Sequence, residues 1–283
     1  MISKKARSSK LIRLSLLAML LNPTIALAQQ SKIALIDRFA TAKHRYHNFN
    51  GNVLVAEKGR VIYKKSFGYA DFKEKAPLTH DSVFNIASIS KQFTAAAVML
   101  GVERGLLNLE DPLAKYFPEI PHEGITIRHM LTHTSGLPEQ NELMFKHWRS
   151  ADPISNKDVL EYLIKYKPEA EFKPGEDFKY CNTGYSLAAM IVEKVTGERF
   201  QDFVAKNIFR PLGMKQTRFL DPRPGNYKTI PNQTENYIAD TEGKEYLPPR
   251  EIPMYRNAIA MTGVVGAGNI HSTTADLMKW QEV

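Results

Sequence analysis

The stretch Phe84–Thr94, FNIASISKQFT, carries the strongest signal in this 283-residue chain. It contains the chain's one Ser-x-x-Lys pattern, running from Ser88 to Lys91. Residues three apart share a helix face, so the hydroxyl and the amine are expected to touch. An alanine-rich helix is predicted over Ser88–Arg104, and Gly105 stops it. The pattern alone is a weak signal for a site in which the lysine acts on the serine, and the competing interpretation is a capping serine beside a solvated lysine.

A hairpin and a helix are predicted on the amino-terminal side of this stretch. Gly51–Glu57 alternates in hydrophobicity, Lys58–Gly59 forms a two-residue turn, and Arg60–Tyr69 returns as a second strand. Ser31 is expected to cap a helix before the hairpin. The predicted inward face of that helix consists of Leu35, Phe39, Ala42 and Tyr46.

The chain beyond the Ser-x-x-Lys stretch is predicted to be mainly helical. A capping box at Ser155 opens a helix to Tyr166, and Tyr185–Thr196 has the periodicity of another. Residues 221–253 are rich in Pro, Asn and Gly and indicate a long connection. A last capping box at Thr273 is expected to open a short helix.

Composition and charge argue against a nucleic-acid-binding protein and against disulfide or cysteine-based zinc sites. The formal net charge is +8, but residues 1–30 hold five basic and no acidic side chains. The remainder carries 33 basic against 30 acidic residues, which gives little reason to expect a nucleic-acid partner. Cys181 is the only cysteine, so neither an intramolecular disulfide nor a cysteine-based zinc site is expected.

The amino terminus has the pattern of a secretory signal peptide. Basic residues end at Arg13, an apolar run follows, and Ala26–Ala28 supplies the small residues of a cleavage site. We predict a signal peptide over residues 1–28 and a periplasmic or secreted product without a stable membrane anchor. The alternative is an uncleaved anchor, which Pro23 and the shortness of the apolar run disfavour.

Several motifs together resemble one family, the serine β-lactamase and penicillin-binding-protein superfamily, in particular its class C-like branch with D,D-peptidases and related esterases. The resemblance covers about residues 33–283. Besides Phe84–Thr94, the matching segments are Gly68–Asp71, Pro77–Thr79, Leu109–Pro112, Ile125–Pro138, Pro174–Gly175, Phe178–Tyr185, Pro211–Met214 and Gly268–Trp280.

The resemblance implies an α/β fold of the α+β type. An antiparallel sheet flanked by helices would lie beside a helical region, with the site between them. The expected domain is 29–283, divided into a helix and hairpin (29–87), a mainly helical region (88–220), and a long connection with the start of a helix (221–283). The family's third motif, Lys-Thr-Gly or His-x-Gly, is absent after residue 182. We therefore expect a C-terminally truncated member that lacks the last strands.

The family's second motif is Tyr-x-Asn, and three such strings occur, beginning at Tyr46, Tyr180 and Tyr255. The middle string alone has the family's flanking residues. The resemblance then implies that Ser88 is acylated and that Lys91 and Tyr180 together accept its proton. Asn182 would bind the substrate's amide or hold the lysine. Neither a metal nor a cofactor is expected.

The predicted function is an exported serine hydrolase that works through an acyl-enzyme. Its substrates would be β-lactams, D-alanyl peptides or small esters, either free or derived from peptidoglycan, and the oligomeric state stays open. The alternative is a non-catalytic ligand-binding or acyl-sensing protein with the same pocket. Ser186 lies in a near match to a hydrolase nucleophile elbow, but no strand precedes it. His129 and His133 have the spacing of zinc ligands on a helix but lack a third ligand nearby.

Overall fold

The computed structural model describes residues 30–150, 152–221, 230–239, 246–252 and 260–282, so the predicted signal peptide lies outside them. The chain forms two compact units. The described part of the first unit comprises residues 30–69 and 77–80, and the second comprises residues 70–76 and the described residues from 81 onward. Within the described residues, no helix combines the length and apolarity that a membrane crossing would require.

The first unit contains a helix and the predicted hairpin. Helix α1 covers residues 30–47. Strands β1 (Gly51–Glu57) and β2 (Arg60–Phe67) pair antiparallel, with a register irregularity between Val55 and Ala56. Lys58 and Gly59 have φ angles of 50° and 74°. A two-residue turn with two positive φ angles matches the twist of the flanking strands, so the hairpin is confirmed.

The predicted inward face of α1 is wrong. Leu35 and Phe39 are 55% and 65% exposed, and the side chains that pack on the sheet are Ile33, Ile36 and Ala40. Both sets of residues have helical spacing, so periodicity alone could not separate them. A helix packs closest where its side chains are small, and Ala40 supplies such a position. The resulting core of the first unit joins these residues to Tyr63 and Phe67 of β2.

The second unit is built mainly from helices. These are α2 (Ser90–Glu103), α3 (Ile127–Leu131), α4 (Gln140–His147), α5 (Asn156–Tyr166), α6 (Asn182–Thr196), α7 (Phe200–Val204) and α8 (Thr274–Gln281). The predicted caps are confirmed, because the Ser155 and Thr273 hydroxyls accept from the backbone N–H groups of Asp158 and Asp276. Helix α6 begins three residues earlier than predicted, at Asn182.

Short strands complete the fold. They are β3 (Tyr69–Asp71), β4 (Ala76–Pro77), β5 (Phe84–Asn85), β6 (Arg218–Phe219), β7 (Ile238–Ala239), β8 (Tyr246–Leu247) and β9 (Ile270–Ser272). The order β5–β9–β6 makes an antiparallel sheet of three strands among the described residues. Helices with small antiparallel sheets confirm the predicted α+β class.

Helix α6 runs through the core of the second unit. Leu187, Ala188 and Ile191 have no exposed surface, and Phe93 of α2 is equally buried. Burying one such large apolar side chain contributes about 1.5–3 kcal/mol. This packing holds the amino termini of α2 and α6 in fixed positions, and the predicted site residues lie at these two ends.

Candidate active site

Ser88 lies in a sharp turn between β5 and α2. The turn is a short 3₁₀ segment, Ala87–Ile89, so α2 itself starts later than predicted, at Ser90. Ala87 has a left-handed φ of 46°, a conformation that costs a non-glycine residue about 1–2 kcal/mol. The Asn85 carboxamide oxygen accepts from the Ala87 N–H at 2.8 Å and stabilises this conformation. The turn leaves the Ser88 side chain exposed.

Lys91 is buried, and its amine lies among three oxygen atoms. The Nζ atom is 3.1 Å from Ser88 Oγ, 2.8 Å from Asn182 Oδ1 and 2.8 Å from the Ala267 carbonyl oxygen. Carbonyl oxygens only accept hydrogen bonds. Asn182 and Ala267 therefore use two of the N–H bonds of Lys91, and the third direction of the amine is toward Ser88.

The Ala267 carbonyl reaches Lys91 because its segment passes close to α6. Gly266 has a φ of 95°, and a Cβ atom there would lie 2.4 Å from the Tyr185 carbonyl oxygen and 2.8 Å from the Ala189 side chain. Only glycine has both this conformation and this clearance. The Thr94 hydroxyl donates to the Gly266 carbonyl at 2.7 Å and ties the segment to α2.

Tyr180 contacts the same serine oxygen from another direction. Its hydroxyl lies 2.6 Å from Ser88 Oγ, and Lys91 Nζ lies 4.8 Å from the centre of its ring. The structure thus brings together all four residues that the sequence predicts for the site, Ser88, Lys91, Tyr180 and Asn182. Their catalytic roles stay a prediction.

His133 supports the Tyr180 ring. The two ring centres are 4.4 Å apart, and His133 Nδ1 accepts from the Cys181 N–H at 3.1 Å. Burial lowers the pKa of His133, and the nearby charge of Lys91 lowers it further. An accepting Nδ1 and a lowered pKa both favour the neutral imidazole with its proton on Nε2. His133 therefore acts as an uncharged surface beneath the tyrosine.

Cys181, between Tyr180 and Asn182, is buried. Its Sγ atom is 3.3 Å from the Leu137 carbonyl oxygen, and burial raises the pKa of the thiol. A raised pKa keeps the sulfur protonated, whereas a nucleophile needs the thiolate. The position between Tyr180 and Asn182 thus serves packing.

Glu139 is the residue that sequence reasoning missed. Its Oε2 atom accepts from the Asn182 backbone N–H at 2.7 Å, and its Oε1 atom accepts from Asn182 Nδ2 at 3.0 Å. It is separated from Asn182 by 43 positions, so no local spacing could connect them. The one sequence signal is a carboxylate at the start of a helix, which also has the ordinary explanation of a cap.

An open cleft of about 280 Å³ lies beside Ser88, and all of its lining residues belong to the second unit. Its described lining contains amide, hydroxyl and apolar groups but no charged side chain. The polar members are Asn85, Ser88, Gln140, Asn141, Asn182, Thr262 and Asn269. The cleft therefore suits a neutral acyl group that forms hydrogen bonds.

The other residues that the sequence offered as site candidates do not form a second site among the described residues. Ser186 is fully buried within α6, away from solvent. His129 closes the capping box of α3 with Thr126. No group of three or more His, Cys, Asp or Glu side chains could hold a metal in the part of the chain that the structure describes. Of the other Tyr-x-Asn strings, Tyr46–Asn48 lies in the first unit and Tyr255–Asn257 lies outside the described residues.

Comparison with known proteins establishes the family. The family model described as Beta-lactamase matches residues 35–281. The chain belongs to this family. Penicillin-binding protein 4* of Bacillus subtilis (strain 168) is 39% identical to this chain over 236 residues. The aligned region covers 83% of this chain and 52% of Penicillin-binding protein 4*. The predicted superfamily is thus confirmed.

Solved structures agree with this assignment. The octameric penicillin-binding protein homologue from Pyrococcus abyssi superposes with a TM-score of 0.73 at 29% identity, over 88% of this chain and 55% of that one. D-amino acid amidase from Ochrobactrum anthropi SV3 gives a TM-score of 0.62 at 28% identity, over 81% and 62% of the two chains. Such homologues are serine hydrolases, which confirms the predicted enzyme class at the level of the family. The chain spans about half the length of Penicillin-binding protein 4*.

Proposed function

We propose that this protein is an exported serine hydrolase that forms an acyl-enzyme on Ser88. The observation that carries the proposal is the double contact of Ser88 Oγ, 3.1 Å from the Lys91 amine and 2.6 Å from the Tyr180 hydroxyl. A serine hydroxyl is a weak nucleophile until a neighbouring group accepts its proton. Here both groups that could accept the proton are within hydrogen-bonding distance.

The hydrogen bonds around Ser88 support a proton that Lys91 and Tyr180 can share. If Lys91 is neutral, its two N–H bonds go to Asn182 and Ala267, and its lone pair accepts from the Ser88 hydroxyl. Tyr180 then donates to Ser88 Oγ. If Lys91 is an ammonium, it donates to Ser88 Oγ, and Ser88 donates to a Tyr180 phenolate. Both arrangements contain the same number of protons and direct the serine proton toward a base.

The reaction follows from this arrangement. Ser88 Oγ attacks the substrate carbonyl carbon while its proton passes to the Lys91–Tyr180 pair. The tetrahedral intermediate collapses, the bond to the leaving amine or alcohol breaks, and the pair returns the proton to that group. The acyl chain stays on Ser88 as an ester. A water molecule then attacks the ester carbon, and the pair accepts one water proton. The bond between the acyl carbon and Ser88 Oγ breaks, the pair passes the proton to Oγ, and the acid is released.

The substrate class is proposed to be β-lactams, D-alanyl peptides or small esters. All three carry a carbonyl carbon with an amine or alcohol leaving group, and the uncharged cleft suits a neutral acyl group. The names of the relatives, a penicillin-binding protein and a D-amino acid amidase, agree with the first two classes. Export is proposed from the signal-peptide pattern of residues 1–28.

Covalent trapping in the full-length protein tests the proposal. A fluorophosphonate or labelled penicillin should modify the Ser88 peptide, as identified by mass spectrometry of exported protein that begins at Gln29. Ser88→Ala should abolish labelling, and Ser186→Ala, a matched change in buried α6, should leave it intact. Labelling that survives Ser88→Ala contradicts the proposal. Stable labelling with no turnover of any of the three substrates would favour the acyl-sensing alternative.

A further inference from the structure

Glu139 connects two helix ends beside the catalytic lysine. It precedes α4, where its Oε1 atom accepts from the Asn141 N–H at 3.1 Å. The same carboxylate accepts from the backbone N–H and the side-chain Nδ2 of Asn182, the first residue of α6. Backbone N–H groups at helix starts favour a negative charge. Glu139 is thus held by three N–H donors, one from nearby Asn141 and two from Asn182, which is 43 positions away in the chain.

We infer that Glu139 is a positioning residue that fixes the direction of the Asn182 carboxamide, an inference that rests on the proposed function of Ser88 and Lys91. A carboxylate only accepts hydrogen bonds, so the Asn182 nitrogen must face Glu139. The Asn182 oxygen must then face Lys91, where it lies 2.8 Å from Nζ. Glu139 therefore decides which end of the amide the lysine meets.

The alternative orientation would oppose the chemistry. If the carboxamide of Asn182 turned over, its NH₂ group would face Lys91, donor against donor. Lys91 would lose one of the two acceptors that direct its third position toward Ser88. Displacing reacting groups by about 1 Å can cost on the order of 10²-fold in rate. Losing Glu139 should therefore slow acylation without removing any group that touches the substrate carbonyl.

The surrounding contacts explain why Glu139 cannot easily move. Thr183 follows Asn182, and its hydroxyl donates to the Pro138 carbonyl at 2.6 Å and accepts from the Gln140 N–H at 2.8 Å. The residues on both sides of Glu139 are thus tied to α6 by one hydroxyl group. Because the backbone on both sides is fixed, the side chain at position 139 alone determines which group faces the Asn182 carboxamide.

Glu139→Gln tests the inference because it keeps the shape and replaces one acceptor by a donor. Glu142→Gln is the matched control, because it removes the same charge from an exposed residue in the first turn of α4, three positions further along the chain. We expect the maximal rate of Ser88 labelling to fall about 10-fold to 10²-fold in Glu139→Gln, with little change in the probe concentration at half-maximal rate. Glu142→Gln should match the wild type.

A double variant distinguishes positioning from general loss of structure. In Glu139→Gln with Asn182→Asp, the new amide donates to the new carboxylate, which still accepts from Lys91. This pair should label faster than Glu139→Gln alone. Asn182→Asp alone should be slow, because two carboxylates would then face each other. Equal labelling rates in Glu139→Gln and the wild type, or no recovery in the double variant, would overturn the inference.

A second readout separates this inference from the proposed function. In nuclear magnetic resonance spectra, the Asn182 side-chain amide protons should exchange slowly with solvent in the wild type and in Glu142→Gln, and faster in Glu139→Gln. Absent labelling of the wild type would refute the proposed function alone. Unchanged amide exchange in Glu139→Gln would refute the positioning role, whether or not Ser88 reacts. Glu139→Asp, a shorter carboxylate, gives the same test if the glutamine variant fails to fold.

Discussion

The two compact units bury their apolar side chains to different degrees. In the first unit the buried cluster consists of Ala40, Tyr63 and Phe67, while Leu35 and Phe39 are largely exposed beside a groove of about 520 Å³. The second unit has a large apolar core, to which α2 and α6 both contribute their buried faces. The four predicted site residues and Glu139 all lie in the second unit.

This difference shows where a chain can hold chemical groups at fixed distances. The contacts around Ser88 depend on the ends of α2 and α6, and these ends are held because the buried faces of both helices pack into one close-packed core. In the first unit, ion pairs such as Lys32–Glu57 join side chains that are 49% and 44% exposed. Exposed pairs of this kind contribute little to stability, so they fix no geometry as firmly as a core does.

The largest expected effect is on stability and compares two phenylalanines. Phe200 of α7 has no exposed surface, whereas Phe39 of α1 is 65% exposed. Phe200→Ala should lower the free energy of unfolding by about 3–5 kcal/mol, because it leaves a cavity in the core. Phe39→Ala should change it by no more than about 0.5 kcal/mol. Denaturant unfolding followed by circular dichroism measures both. Similar losses for the two variants would contradict the difference between the units.

The next effect is the pH dependence of stability, which buried His271 should control. Burial lowers the pKa of His271 to about 4, from an ordinary value of 6.5. The unfolded chain then binds a proton between these values and the folded chain does not, so stability is complete above pH 6.5 and falls toward pH 4. The shift corresponds to about 3 kcal/mol at most.

Unfolding measured at pH 7.5 and pH 5 tests this dependence. His271→Gln should lose less stability on acidification than the wild type, whereas His47→Gln, which removes an exposed histidine of the first unit, should behave as the wild type does. An acid response that His271→Gln leaves unchanged would show that a different group controls it.

The smallest effect concerns one hydrogen bond in the first unit. The Tyr63 hydroxyl donates to Asp37 at 2.9 Å, and burial together with this carboxylate raises the pKa of Tyr63 to about 12. Tyr63→Phe should reduce the free energy of unfolding by about 0.5–1.5 kcal/mol. In an absorbance titration, the variant should lack the late ionisation step near pH 12 that Tyr63 supplies. Tyr46→Phe, at a largely exposed position, is the control and should keep that late step.

The sequence predicted the site to the extent that local patterns could. Ser88 and Lys91 lie three residues apart, and Tyr180 and Asn182 share a short flanked motif, so each pair was recognisable alone. Lys91 also contacts Asn182, which is 91 positions away, and the carbonyl of Ala267, which is 176 positions away. Every residue has a backbone carbonyl, so no sequence motif could indicate that the carbonyl of Ala267 contacts Lys91.

Local physical chemistry by itself determined the hairpin, the helix caps at Ser155 and Thr273, and the pairing of a serine with a lysine. These features depend on residues within a few positions of each other, and the types of those residues predict their local conformation. Tertiary structure alone decided which face of α1 is buried, because two apolar stripes competed for one sheet. It also decided that Glu139 faces Asn182, because a hydrogen bond between distant segments depends on how the helices pack and not on the spacing of residues along the chain.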